Sequence, residues 1–264
     1  MKLPLYQVDA FTDRAFGGNP AAVVPLESWL DAELMQNIAC ENNLAETAFF
    51  VPGAAADHWE LRWFTPATEV PLCGHATLAS AAVIRDQLGH DSWPITFESA
   101  SGPLVVERDG DALILDFPAN TPAPAATPDG LAEALGSAVP ETLSATGFLV
   151  AVFADAATVA CLEPDFARLV ELGGQGVIAT APGDDVDFVS RFFAPAIGID
   201  EDPVTGAAHC VLTPYWSARL EKHRLEAVQL SRRRGYLGCE LAGERVRLRG
   251  HSVFYLGGEI SVPD

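Results

Sequence analysis

Arg62-Trp63-Phe64-Thr65-Pro66, followed by Glu69-Val70-Pro71-Leu72-Cys73-Gly74-His75-Ala76, has a counterpart further along the chain. The counterpart is Arg191-Phe192-Phe193-Ala194-Pro195, followed by Glu201-Asp202-Pro203-Val204-Thr205-Gly206-Ala207-Ala208-His209. The spacing from Arg62 to Arg191 is close to half of the 264 residues. A repeat at half the chain length predicts two similar units facing each other, with a cleft between them. In each copy an aromatic strand reaches a proline turn, and a glycine then opens an alanine-rich helical stretch. Two helix N-termini aimed into one cleft would offer N–H groups and positive dipole ends to an anion. The pattern therefore predicts a small-molecule carboxylate site between two pseudo-symmetric halves.

The bulk composition is compatible with that architecture. Half of the residues (49%) are hydrophobic and the mean hydropathy is +0.17, enough for a substantial core. A formal net charge of −20 argues against nucleic acid and anionic membrane as partners, because both repel it. Nine of the 16 basic residues fall between Arg219 and Arg249, which reads as a solvated strand-and-turn surface. The five cysteines (Cys40, Cys73, Cys161, Cys210, Cys239) are scattered and form no C-x-x-C, so neither a zinc site nor a disulfide framework is expected. The opening MKLPLYQVDAFTD has no apolar signal core, and no stretch approaches membrane-spanning length. The expectation is a reduced, cytoplasmic protein of enzyme size.

Periodicity places the motifs. Strands are expected over Leu5–Phe11 and Ala21–Pro25, separated by the turn Gly17-Gly18-Asn19-Pro20. Ser28 is a candidate cap for a helix from about Leu30 to Asn42. Strands at Thr47–Val51 and Trp59–Thr65, a helix at Ala76–Gln87 and three short strands up to Phe117 complete the first half. Pro118–Asp129 is rich in proline and alanine and reads as a linker, giving halves of 1–118 and 119–264. The second half repeats the order, with strands Val177–Thr180 and Phe188–Phe193 ahead of a helix Gly206–Leu220. Many short strands with two substantial helices per half suggest an α+β fold of curved, mostly antiparallel sheets around central helices. No βαβ alternation carries a glycine-rich nucleotide loop, so a Rossmann cofactor site is not expected.

Four passages are specific enough to match a family. Phe16-Gly17-Gly18-Asn19-Pro20-Ala21-Ala22-Val23, Asn43-Leu44-Ala45-Glu46-Thr47-Ala48-Phe49, Arg62–Ala79 and Ser190–Trp216 resemble the PhzF family of phenazine-biosynthesis-like proteins, in order and over nearly the whole chain. The resemblance implies a diaminopimelate-epimerase-like fold of two barrel-like halves, each around a central helix. It also implies a cofactor-independent isomerase whose type reaction moves a proton within trans-2,3-dihydro-3-hydroxyanthranilate, and a homodimer.

The resemblance assigns Glu46, in N-L-x-E-T, as the catalytic acid/base. One carboxylate can remove a proton from carbon and return it elsewhere, and the apolar neighbours Leu44, Ala45, Ala48 and Phe49 would strengthen it as a base. His75, in G-H-A-T, lies at a helix N-terminus whose dipole disfavours its charged form, so a neutral hydrogen-bonding role is expected. Asp202 matches the second-half acid and is also a natural helix cap; Glu201 reads as structural. Gly74 and Gly206 would let a substrate carboxylate approach the backbone. Asn19 and Gly18, in G-N-P, are turn residues or substrate contacts.

Two departures shift the expected substrate. Ala207 stands where the phenazine enzyme's pattern has serine, removing a hydroxyl donor, and Tyr236 follows Arg234-Gly235 where the family has a second glycine. Cys73-Gly74 fits the first cysteine of a two-thiol epimerase, but the second position falls at Pro203. Cys73 then reads as a small buried residue. The leading expectation is an isomerase acting on a small cyclic or unsaturated carboxylate. The alternatives are an epimerase pairing Glu46 with Asp202, and a non-catalytic carboxylate binder. No metal is expected.

Overall fold

The computed structural model describes residues 1–263, which form two compact units. The first comprises Met1–Asp116 together with residues 249–263, and the second Phe117–Leu248. The final strand, Ser252–Ser261, pairs antiparallel with Lys2–Ala10 along its whole length. The chain thus returns to its starting unit.

The first unit contains β1 (Lys2–Ala10), β2 (Asn19–Pro25), α1 (Ala32–Asn42), β3 (Glu46–Pro52), β4 (His58–Phe64), β5 (Glu69–Val70), α2 (Gly74–Asp86), β6 (Ile95–Glu98), β7 (Leu104–Asp109) and β8 (Ala112–Pro118). Antiparallel pairs predominate, but β2–β3 and β4–β6 are parallel. Parallel neighbours need a crossover, and α1 and α2 supply the two. Alternation then sorts the side chains. Val24, Phe49, Val51 and Phe64 pack with Met35, Ile38 and Ala39 of α1 on one face. Glu46, Ala48 and Phe50 alternate with them and lie on the other face. α2 is buried from His75 to Ile84, and its run of Ala76, Ala79, Ser80, Ala81 and Ala82 lets the sheet approach closely. Its buried hydroxyls are satisfied one turn back, Thr77 Oγ1 to Cys73 O at 2.6 Å and Ser80 Oγ to Ala76 O at 2.8 Å.

Ser28 does not cap α1. The helix starts at Ala32, and Trp29 and Leu30 are packing anchors ahead of it. The Trp29 indole N–H reaches Glu60 Oε2 at 2.7 Å.

The second unit contains β9 (Ala123–Pro124), α3 (Leu131–Leu135), β10 (Glu141–Ala145), β11 (Phe148–Val152), α4 (Ala156–Ala160), α5 (Phe166–Glu171), β12 (Gly176–Pro182), β13 (Phe188–Phe193), α6 (Gly206–Leu220), β14 (Arg224–Gln229), β15 (Gly235–Ala242) and β16 (Arg245–Gly250). Its pairing repeats that of the first unit: β10–β11 antiparallel, β11–β12 parallel, β12–β13 antiparallel, β13–β14 parallel and β14–β15 antiparallel. α6 plays the part of α2.

The segment read as a linker is held in place. Pro214 lies inside α6 and has no N–H for the carbonyl of Cys210. The backbone N–H of Asn120 donates to that carbonyl instead, at 3.0 Å, and Ala119 N donates to Glu244 O at 2.9 Å. Trp216 is 1% exposed. It stacks on Phe188 with centroids 5.9 Å apart and donates to Thr180 Oγ1 at 3.0 Å. His209 is also fully buried, with Nδ1 donating to Thr205 O at 2.8 Å, and burial pushes its imidazole down to about 4.

Replacing Trp216 with alanine is expected to cost about 3–5 kcal/mol in urea unfolding, the range for deleting a buried aromatic. His209 makes stability pH-dependent. Its folded value lies below the unfolded one of about 6.5, so its contribution is complete above that pH and is lost as pH falls to about 4. The loss is on the order of 3 kcal/mol. Urea midpoints from pH 7 to pH 4 should fall more steeply for the wild type than for His209→Gln.

Candidate active site

Three chain segments meet at one end of the β2–β3 parallel pair. Asn19 is the first residue of β2 and Glu46 the first of β3, with Ala21 and Glu46 in register. α2 begins at Gly74, with Cys73 in the N-cap position and His75 as its second residue. Asn19 is fully buried, His75 is 5% exposed and the Glu46 side chain 11%.

The contacts form a chain through the imidazole. His75 Nε2 lies 3.1 Å from Glu46 Oε2. The approach is off the axis of a straight hydrogen bond, and neither atom has a hydrogen-bond partner among the described residues. On the other edge of the ring, Nδ1 lies 3.2 Å from Asn19 Nδ2 and 3.5 Å from Cys73 Sγ. Two buried polar atoms thus face each other with bonding capacity to spare, the condition in which a bound polar group is worth most.

The electrostatics differ from the sequence expectation. Burial works against protonation of His75, but the sulfur and carboxylate on its two sides more than offset it and hold the imidazole well above its usual value. Burial and the nearby Glu46 push the Cys73 thiol up to about 11, so the sulfur is protonated near neutrality. The neighbouring groups favour the charged ring, where the helix dipole alone predicts a neutral one.

Glu46, Cys73 and His75 offer three ligand atoms within 4.8 Å of one another. Cys73 faces Nδ1 and Glu46 faces Nε2, however. A single ion bound through one ring nitrogen meets one of these partners on its own side of the ring and not the other. The geometry suits proton transfer better than a metal.

Gly18 has φ of +60°, and a Cβ there would lie 2.1 Å from Ala10 O, so its place is in the turn that delivers Asn19. Gly74 opens α2 beside the cluster.

The remaining sequence candidates belong to the second unit. Asp202 Oδ2 accepts from Thr205 Oγ1 at 2.5 Å just ahead of α6. Gly206 opens that helix and is buried, and Ala207 is exposed. Gln229, which the sequence did not single out, ties this corner together. Its Oε1 accepts from Thr205 N at 2.9 Å, and its Nε2 donates to Asp202 O at 2.7 Å and Thr205 Oγ1 at 3.1 Å. Glu201 is structural, gripping Arg191 Nε at 2.7 Å and Nη2 at 3.0 Å. Arg234 is exposed, and Gly235 is required because a Cβ would lie 2.1 Å from the Val204 side chain.

Aligning the units by strand register shows which features were kept. Thr47 pairs with Phe64 as Val177 pairs with Phe193, so Glu46 corresponds to Gly176. The same frame sets Asn19 against Thr146, Cys73 against Thr205 and His75 against Ala207. A Cβ on Gly176 would lie 2.5 Å from the Phe192 ring, leaving no room for an acid. The Arg–Glu clamp survives in both copies: Arg62 grips Glu69 with two bonds of 2.7 Å, matching Arg191 with Glu201. Among the described residues, the buried carboxylate–imidazole contact occurs in the first copy alone.

Comparison with known proteins finds relatives along nearly the whole chain. A protein of Pseudomonas aeruginosa named as an isomerase is 54% identical over 260 residues, covering 98% of this chain and 99% of its own. A crystal structure of a PhzF-family phenazine biosynthesis protein from Enterococcus faecalis superposes with a TM-score of 0.96 at 46% identity, covering 99% of this chain and all of the other. A hydroxyproline epimerase from Agrobacterium vitis shares the fold, with a TM-score of 0.66 at 12% identity over all of this chain and 93% of its own. The family model for phenazine biosynthesis-like proteins matches residues 8–258, and the chain belongs to this PhzC-PhzF family.

Proposed function

We propose that the chain is a cofactor-independent isomerase in which Glu46 moves a proton within a small cyclic or unsaturated carboxylate resembling trans-2,3-dihydro-3-hydroxyanthranilate. The observation that carries this reading is the buried contact between Glu46 Oε2 and His75 Nε2, two atoms with no hydrogen-bond partner among the described residues. Glu46 takes a proton from a carbon made acidic by the adjoining unsaturation. The electron pair shifts along the conjugated system, and the carboxylic acid returns the proton at the far carbon, so the substrate's composition is unchanged. His75, held above its usual value, shares the proton while Glu46 carries it.

The first N–H groups of α2, at Gly74 and His75, have no partner within the helix and suit a substrate carboxylate. Asp202 and the Gly206–Ala207 start of α6 enter the reading as substrate-orienting groups. Ala207 presents a methyl in place of a hydroxyl, which favours a ligand needing no donor there. The reading extends, on the family resemblance, to a cytoplasmic homodimer.

An epimerase pairing Glu46 with Asp202 is the less favoured reading, because Asp202 Oδ2 already accepts from Thr205 Oγ1, and the register counterpart of Glu46 is Gly176, whose space Phe192 fills. The test is proton exchange in heavy water with trans-2,3-dihydro-3-hydroxyanthranilate as probe, followed by NMR. Wild type is expected to place deuterium on carbon at the product position. Glu46→Gln should lose at least 100-fold in rate, roughly the lower end of what a general acid/base supplies, while keeping its unfolding transition. Full activity in that variant contradicts the assignment. Deuterium entering a single stereocentre with loss of chirality points to the epimerase instead.

A further inference from the structure

We propose that Asn19 is a positioning residue of the Glu46 site: its side-chain amide seats the Nδ1 edge of His75 so that Nε2 stays aimed at Glu46, and it makes no contact with the substrate. The proposal rests on the reading of Glu46 as the proton-transfer group and assigns the one buried polar side chain of the cluster that this reading leaves without a task.

The chain invests considerable constraint in placing this amide. Asn19 is fully buried, and its backbone is pinned opposite Ala10 at the end of β1. The turn before it is crowded. A Cβ on Gly17 would lie 2.5 Å from Thr12 Oγ1, and Gly18 adopts a φ of +60° with Ala10 O where its Cβ would be. The Thr12 hydroxyl closes the turn by donating to Arg14 O at 3.0 Å. Two glycines and a capped turn thus deliver Asn19 Nδ2 to 3.2 Å from His75 Nδ1.

The chemistry of the amide explains why asparagine fits this position. A histidine that exchanges protons with a carboxylate alternates between a neutral and a cationic ring. With its NH2 toward Nδ1, Asn19 donates to the neutral ring and leaves the ring proton on Nε2, facing Glu46. When the ring gains a second proton, the amide turns over and Oδ1 accepts from Nδ1–H. Aspartate only accepts and alanine does neither. Cys73 Sγ, 3.5 Å from the same nitrogen, is a weaker partner and cannot donate strongly to a neutral ring. An amide on Nδ1 holds the imidazole in one orientation through both protonation states. The second unit has Thr146 at the corresponding position and Ala207 in place of the histidine, so the amide and the imidazole are missing together.

The experiment compares the full-length wild type, Asn19→Asp and Asn19→Ala, labelled with 15N in the histidine rings. The His75 signals are identified by their loss in His75→Gln. At a pH high enough to leave the ring neutral, wild type is expected to show the proton on Nε2 alone. The nearly isosteric Asn19→Asp should move it to Nδ1, and Asn19→Ala should give a mixture. The same tautomer in all three proteins overturns the proposal. Kinetics with the dihydrohydroxyanthranilate probe give a second readout: kcat should fall on the order of 100-fold in Asn19→Ala with KM unchanged, the scale of a misplaced catalytic group. A raised KM at constant kcat makes Asn19 a substrate contact and equally overturns the proposal. If the wild type fails to turn over the probe, the functional reading loses its support, while the ring-nitrogen signals still decide the role of Asn19.

Discussion

A carboxylate and an imidazole held 3.1 Å apart in a nearly water-free corner constrain much of the first unit. Their charges are costly to bury singly, so the segments that carry them must arrive together. Glu46 must be the first residue of a strand whose next inward neighbours, Ala48 and Phe50, are apolar. His75 must lie within the first turn of a helix that is buried along nearly its whole length. The parallel β2–β3 pair and its α1 crossover set the first condition, and the small-residue face of α2 sets the second. The result is a site built on the rigid ends of regular elements, with the positioning amide supplied by the neighbouring strand.

The second unit repeats the frame of the first without the Glu46–His75 contact. Its strand pairing, its arginine–glutamate clamp and its central helix all repeat those of the first. In both units the carbonyl of the residue before the first helical glycine is capped from one turn above, by Thr77 in α2 and by His209 in α6. His209 is therefore a core histidine, despite standing in the same kind of motif as His75. Glu46 is replaced by Gly176 and the space is filled by Phe192. On the proposed reading Glu46 then acts as a single acid/base group, where a symmetric pair of acids would favour two-sided racemisation chemistry.

Much of this was legible in the sequence because both helix starts carry glycine after a proline turn, and because aromatic strands precede them at equal spacing. α6 runs over the residues expected, and the strand and helix around Glu46 and His75 lie within two residues of their expected bounds. Three features were hidden. The return of Ser252–Ser261 to β1 is a long-range pairing with no local signal. The short helices α3 and α4 are held by tertiary packing against a core too composite for periodicity to reveal. The linker-like Pro118–Asp129 conceals a specific task, since Asn120 satisfies a carbonyl that Pro214 leaves open ninety residues later in the chain. Within the site, the sequence singled out Glu46 and His75 one by one; their 3.1 Å contact, and the charged ring that the flanking groups favour, are tertiary features that helix position alone does not convey. Gln229 carried no signal because a lone glutamine in a strand is uninformative until its partners are known.

The central claim is that Glu46 and His75 act as one proton-sharing pair. The most direct measurement is a 15N NMR pH titration of the His75 ring in the wild type and in Glu46→Gln. If the pair is real, the wild-type ring titrates well above the ordinary histidine value, and removing the carboxylate charge lets burial draw it down. A His75 titration that is the same in both proteins would contradict the account.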